Sequence, residues 1–106
     1  MKLEKVNSVI AKRTLQAKDG REIEIIFGTP EEFPDGKDFY CPFQVIGLGD
    51  ERVRYAGGVD SMQALLLALK KLSYYITSRD EVMNGEVQWL GEPDLGLLPA
   101  YQDDLD

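Results

Sequence analysis

The sequence predicts an α+β fold: two layers, with a mostly antiparallel sheet in the order ββββαβ and one amphipathic helix packed on one of its faces. Three observations carry this expectation. Runs of alternating apolar and polar residues, punctuated by turn residues, fill the stretch from Ser8 to Ala56. A single run at helical spacing extends from Met62 to Ile76, and alternation returns at Glu86–Leu90. One amphipathic helix has only the sheet to pack on, which makes two layers the natural architecture.

The first two strands are Ser8–Ala17 and Arg21–Gly28. They flank Lys18-Asp19-Gly20, where Asp-Gly supplies the positive φ of a tight hairpin turn. The second sets Ile23, Ile25 and Phe27 against Glu22 and Glu24, as a half-buried strand does. Thr29–Asp38 contains Pro30, Pro34 and Gly36 with four acids and no periodicity, and reads as a surface loop. In Phe39–Ile46 the residues Phe39, Cys41, Phe43 and Val45 share one face. Gly47-Leu48-Gly49-Asp50 then turns the chain into Glu51–Ala56, where Val53 and Tyr55 alternate with Arg52 and Arg54. Pro42 donates no ladder hydrogen bond, so its strand is expected at an edge or with a bulge; such an edge offers a place for homodimer pairing with a second copy.

Gly57-Gly58 is expected to end the strand. Asp60 reads as the N-cap of the helix with Gln63 at the third position, Ser61 as a competing cap, and Val59 as a staple against Ala64. Met62, Leu65, Leu66, Leu69, Leu72 and Ile76 form the expected buried stripe to about Thr77, with Leu67 and Tyr74 off it. Asn84-Gly85 marks a turn before a fifth strand, Glu86–Leu90, with Val87 and Trp89 inward. Gly91, Pro93, Gly96 and Pro99 keep the remainder irregular, while Leu95, Leu97, Leu98 and Tyr101 are apolar enough to lie against the body.

The 106 residues are expected to form one domain, 1–106, with an acidic and partly irregular segment at 78–106. The longest apolar run, Ala64–Leu69, is far short of the ~20 residues that span a bilayer, and Met1–Asn7 is charged with no apolar stretch behind it. A cytoplasmic protein without membrane contact is therefore expected. One cysteine, Cys41, cannot form an internal disulfide, and the absence of histidine removes the usual Cys/His zinc sites, so neither a metal nor a cofactor is expected.

The formal charge of −7 is unevenly placed. Acids and bases cancel up to Thr77, whereas Ser78–Asp106 holds Asp80, Glu81, Glu86, Glu92, Asp94, Asp103, Asp104 and Asp106 against Arg79 alone. Such a segment repels phosphate backbones, which argues against nucleic acid, and it attracts and steers a basic partner; it also serves as a solubilising surface.

Four features could carry chemistry, and each has a plainer reading. Cys41 has no histidine to generate a thiolate and sits among Phe39, Phe43 and Val45, as a small core residue does. Glu31, Glu32, Asp35 and Asp38 are oxygen donors without the spacing of a calcium loop, and read as a solvated loop. Arg52 and Arg54 are expected on one sheet face beside Gln44 and Tyr40, where two guanidiniums, an amide and a phenol would hold a carboxylate or phosphate; the same residues also fit a solvated face. Gly47-x-Gly49 and Gly57-Gly58 lack the further residues of a dinucleotide or phosphate loop, and turn chemistry explains them better. No catalytic residue is assigned, and enzymatic activity is left open with the balance against it.

Tyr40-Cys41-Pro42-Phe43-Gln44, then Gly47-Leu48-Gly49-Asp50-Glu51-Arg52-Val53-Arg54-Tyr55, then Gly57-Gly58-Val59-Asp60-Ser61-Met62-Gln63-Ala64-Leu65 resembles a family of small bacterial proteins known only as a domain of unknown function. The resemblance implies a bacterial or phage-borne source and a compact α+β domain, and brings no activity or site residue with it. The order of elements, the size and the acidity are also similar in architecture to bacterial immunity proteins that neutralise toxins. The leading expectation is thus a non-enzymatic protein-binding module of immunity or antitoxin kind. It would cover a basic, toxin-like partner with Asp80, Glu81, Glu86, Glu92, Asp94, Asp103 and Asp104. The alternative is a small anionic-ligand binder or enzyme working from Arg52, Arg54, Gln44 and Tyr40.

Overall fold

Asp19-Gly20 turns the chain as expected: Gly20 takes φ +96°, and its N–H donates to the Ala17 carbonyl at 3.0 Å. The turn joins β1 (Val9–Ala17) and β2 (Glu22–Gly28) into an antiparallel hairpin in which Leu15 faces Ile23 and Arg13 faces Ile25. These positions belong to a computed structural model that describes residues 1–97.

Two antiparallel ladders organise the rest of the sheet. β4 (Phe39–Ile46) pairs with β2 from Phe27↔Phe43 to Glu24↔Ile46, and with β5 (Arg54–Gly58) from Phe39↔Gly58 to Phe43↔Arg54. A short strand, β3 (Glu31–Glu32), lies within the stretch expected to be loop and pairs with Tyr40 and Phe39. Because β5 already occupies one side of Phe39 and Tyr40, β3 takes the other, continuing the line of β2 in a register shifted by one residue. The last strand, β6 (Val87–Gln88), pairs with Ala17 and Gln16 at the far end of β1. The sheet therefore runs β5, β4, β2 with β3, β1, β6, antiparallel at every pairing, which confirms the α+β expectation.

Pro42 does not mark an edge. Its strand is interior, with β2 and β5 on its two sides, so the edge expected for pairing with a second copy is not at β4. The missing N–H is accommodated because the ladder to β2 stops at Phe27↔Phe43, one residue before Pro42. Gly57-Gly58 does not end the preceding strand either: both glycines pair with β4, and β5 begins three residues beyond the expected Glu51.

The helix α1 (Ser61–Thr77) follows the expected bounds and cap. Asp60 Oδ1 accepts from the Gln63 N–H at 2.8 Å, and Gln63 Oε1 accepts from the Val59 N–H at 2.7 Å, so two otherwise unpaired donors are satisfied. Val59 is exposed, and the staple to Ala64 is not made. The buried stripe is rotated from the expected one. Ala64, Ala68, Leu72, Ser73 and Ile76 face the sheet, Leu65 and Leu69 flank it, and Met62 and Leu66 are 65% and 54% exposed. The cause is proximity: a methyl group at Gly58 would come within 2.5 Å of the Ala64 nitrogen, so only small side chains fit between helix and β5. Ser73 is satisfied in the core by donating its hydroxyl to the Leu69 carbonyl at 2.9 Å. Against this face pack Leu15, Ile23, Ile25, Phe27, Cys41, Phe43 and Val45 from the sheet.

Beyond α1 the chain forms a short helix not expected from its sequence, α2 (Asp80–Met83), then turns at Gly85, φ +74°, into β6. β6 is shorter than the expected Glu86–Leu90, because Leu90 adopts φ +54° and Trp89 bridges back to Glu92. Arg13 holds the following segment. Its guanidinium lies 3.7 Å from the Trp89 ring centre and donates to the Leu95 and Gly96 carbonyls at 3.0 Å each. Leu95 is buried and Leu97 packs on the core, as expected; Leu98 and Tyr101 lie outside the described residues. Among those residues no helix is long and apolar enough to cross a membrane.

Candidate functional site

The cluster expected around Arg52, Arg54, Gln44 and Tyr40 does not assemble. Facing residues of an antiparallel pair share a face, and Arg54 faces Phe43, so its side chain goes to the helix side. There its guanidinium sits 4.3 Å from the Tyr75 ring centre and 3.6 Å from the Asp50 carboxylate. Tyr40 and Gln44 lie on the opposite face. The Tyr40 ring packs on Phe33 and Tyr55 at 5.2 and 5.9 Å, and the Gln44 amide donates to the Glu51 carbonyl at 2.6 Å. Burial, reinforced by the Glu31 charge, raises the Tyr40 phenol above its ordinary pKa. Arg52 stays in solvent, 3.3 Å from Asp50. The Asp50 carboxyl is held below the usual range, first by the Arg52 N–H and then by the charges of Arg52, Arg54 and Arg79.

The structure instead brings Arg52 and Arg54 together with residues from two other parts of the chain. Along the side of β5 turned away from β4 runs an open groove of about 1000 Å³. Arg52, Arg54, Tyr55 and Gly57 line it from β5 and the residues leading into it, Leu67, Lys70, Lys71 and Tyr74 from α1, and Met1, Lys2 and Leu3 from the N-terminal segment. Among the described residues that line it, five are cationic and none is acidic. Arg54 is fixed by Tyr75 and Asp50, and Lys71 Nζ donates to the Tyr55 carbonyl at 2.9 Å. Lys2, Lys70 and Lys71 make no ion pair among the described residues.

The helix residues of this groove are legible in retrospect. Leu67, Lys70, Lys71 and Tyr74 are spaced i, i+3, i+4 and i+7, so they form a second helix face beside the buried one. Leu67 and Tyr74, off the apolar stripe, were the available signal; Lys2 lies too far along the chain for any local pattern to join it to them.

The acids of the C-terminal segment are dispersed. Glu81 pairs with Arg21, Asp94 accepts from the Gly96 N–H at 2.9 Å, and Asp80 opens α2. Glu86 lines a separate small groove with Lys18, Arg21 and Glu81, and Glu92 belongs to the Trp89 bridge. Asp103 and Asp104 lie outside the described residues. Cys41 is fully buried, its thiol facing the Gly28 carbonyl at 3.5 Å, and burial pushes its pKa up to about 11, which suits a core residue and not a nucleophile. Glu31 and Glu32 belong to β3, Asp35 caps the Lys37 N–H at 3.0 Å, and among the described residues no three His, Cys, Asp or Glu side chains converge on a metal position.

Comparison with known families places residues 11–99 within the family described as Domain of unknown function (DUF6968), and the chain belongs to it. No curated protein and no solved structure matches the chain.

Proposed function

We propose that this member of the DUF6968 family is a non-enzymatic protein-binding module whose recognition surface is the cationic groove along β5. The observation that carries this reading is the charge of that groove: among the described residues it is lined by five cations and no acid, in a chain whose formal charge is −7. A concentrated patch of minority sign draws anionic groups on a partner and speeds their encounter. Arg54, pinned on Tyr75, offers a pre-positioned guanidinium, and Leu67 and Tyr74 supply apolar contact beside the charges.

A fluorescein-labelled hexaglutamate peptide tests the reading by anisotropy. The double charge reversal Lys70→Glu, Lys71→Glu should weaken binding at least ~10-fold, about 1.4 kcal/mol, and raising salt should do the same to the wild type. Glu86→Lys with Glu92→Lys, far from the groove, should not weaken it. Binding of hexaglutamate that is indifferent to both the lysine reversals and salt refutes the proposal.

A second reading retains the acidic segment as the interface, in a bacterial, cytoplasmic, immunity-type protein covering a basic toxin-like partner. Asp80, Glu86 and Glu92 favour it, since each is exposed and makes no ion pair among the described residues. Pulldown of basic partners that survives charge reversal of Asp80, Glu86, Glu92 and Asp94 would remove this second reading.

A further inference from the structure

Among the described residues, the groove has an unpaired strand edge along it. There β5 is paired to β4 on one side only, and the Tyr55 carbonyl accepts from Lys71 on the groove side, so the peptide groups of Tyr55 point away from β4. In an antiparallel strand the outward-pointing residues alternate, which turns Gly57 outward as well. Gly57 is exposed and without a side chain, so another backbone can approach closely there. Exposed edges attract further strands, and proteins usually defend them with charge or a covering segment. At β1 the cations are already engaged, Lys12 beside Glu24 and Arg13 beneath Trp89. At β5, Arg52 and Arg54 are likewise engaged, with Asp50 and Tyr75, but Lys2, Lys70 and Lys71 line the open groove and make no ion pair among the described residues.

On that basis, and resting on the groove reading above, we propose that β5 accepts an extended acidic peptide of a partner protein as an added strand. Main-chain groups of Tyr55 and Gly57 would bond its backbone, the peptide taking the place of Lys71 Nζ at the Tyr55 carbonyl and releasing that cation. Side chains of a strand alternate in direction, so every second residue of the peptide would face the helix side, where Arg54, Lys70 and Lys71 select carboxylates. The residues between would face the side that carries Tyr55, where apolar groups fit. β5 has five residues, which matches a ligand segment of about five or six.

The probe is a labelled, acetylated and amidated hexapeptide alternating Glu and Val, with two analogues: one N-methylated on its Glu amides, the other on its Val amides. Each modification blocks one edge of the peptide strand and leaves composition and charge unchanged. One analogue should bind at least ~10-fold more weakly than the parent and the other within ~2-fold, because only one edge meets β5. Amide exchange at Tyr55 and Gly57 should slow at least ~10-fold on saturation, since strand addition protects both.

If both analogues bind like the parent while Lys70→Glu, Lys71→Glu still abolishes binding, strand addition fails and the charged groove stands. Failure of the parent peptide and of hexaglutamate alike removes both. Tighter binding of a twelve-residue oligothymidine than of the parent peptide overturns the choice of an acidic peptide in favour of nucleic acid.

Discussion

Adjacent glycines in β5 should respond in opposite directions to the same substitution. In Gly58→Ala the new methyl group would lie 2.5 Å from the Ala64 nitrogen and 2.9 Å from the Gln63 carbonyl carbon, both backbone atoms of the first turn of α1. Backbone cannot rotate aside, so the helix must move off the sheet where Ala64 and Ala68 pack, at an overpacking cost of about 1–3 kcal/mol. In Gly57→Ala the nearest atoms are the Phe33 ring and the Phe39 carbonyl at 3.6 Å, ordinary contact distance, and the residue has no positive φ. The only systematic effect left is the reduced freedom of the unfolded chain, a stabilisation of about 0.4–1 kcal/mol. The two variants should thus differ by roughly 1.5–4 kcal/mol. At about 4–8 °C per kcal/mol for a domain of this size, their melting temperatures should differ by on the order of ten degrees. Thermal unfolding followed by circular dichroism measures this directly. Equal melting temperatures would refute the idea that close helix approach dictates small residues along this face.

Two further predictions concern titrating groups. The Cys41 pKa, pushed up to about 11 by burial, leaves about one thiol in a thousand ionised at pH 8, so Ellman's reagent should label native protein at least ~100-fold more slowly than unfolded protein. A thiol that holds its proton more tightly when folded supports stability below its unfolded pKa of about 8.5, and that support is lost as pH rises toward 11. Cys41→Ala should therefore show a flatter loss of melting temperature over that window. Asp19, whose carboxylate takes the Arg21 N–H at 3.1 Å and also accepts from its guanidinium, is held below the usual carboxylate range. Its contribution is present above the unfolded pKa and lost as pH falls through the folded value, so Asp19→Asn should reduce the steepness of acid unfolding below about pH 4.

The legible features were those whose cause is local. Asp19-Gly20 turned the chain because only its own backbone had to reach a positive φ, and Asp60 with Gln63 capped α1 because all the partners lie within five residues. The groove was only half legible. Arg52 and Arg54 were recognised as chemistry, but the face to which Arg54 points depends on the register Phe43↔Arg54, and a one-residue slip would have placed it beside Tyr40 and Gln44 as expected.

Period-two and helical patterns, read without any partner, were sufficient for the α+β class, the bounds of α1 and the inward face of β2 and β4, because each arises from the geometry of a single segment. Which strand is an edge, which helix face is buried and which cations share a groove are relations between segments. By sequence Pro42 is an edge residue, yet β5 lies beside it; by sequence Leu66 is a core residue, yet the close approach at Gly58 sets Ala64 and Ala68 against the sheet. Lys2, Arg54 and Lys70 were brought together by sheet pairing and helix packing over distances along the chain that local periodicity does not span.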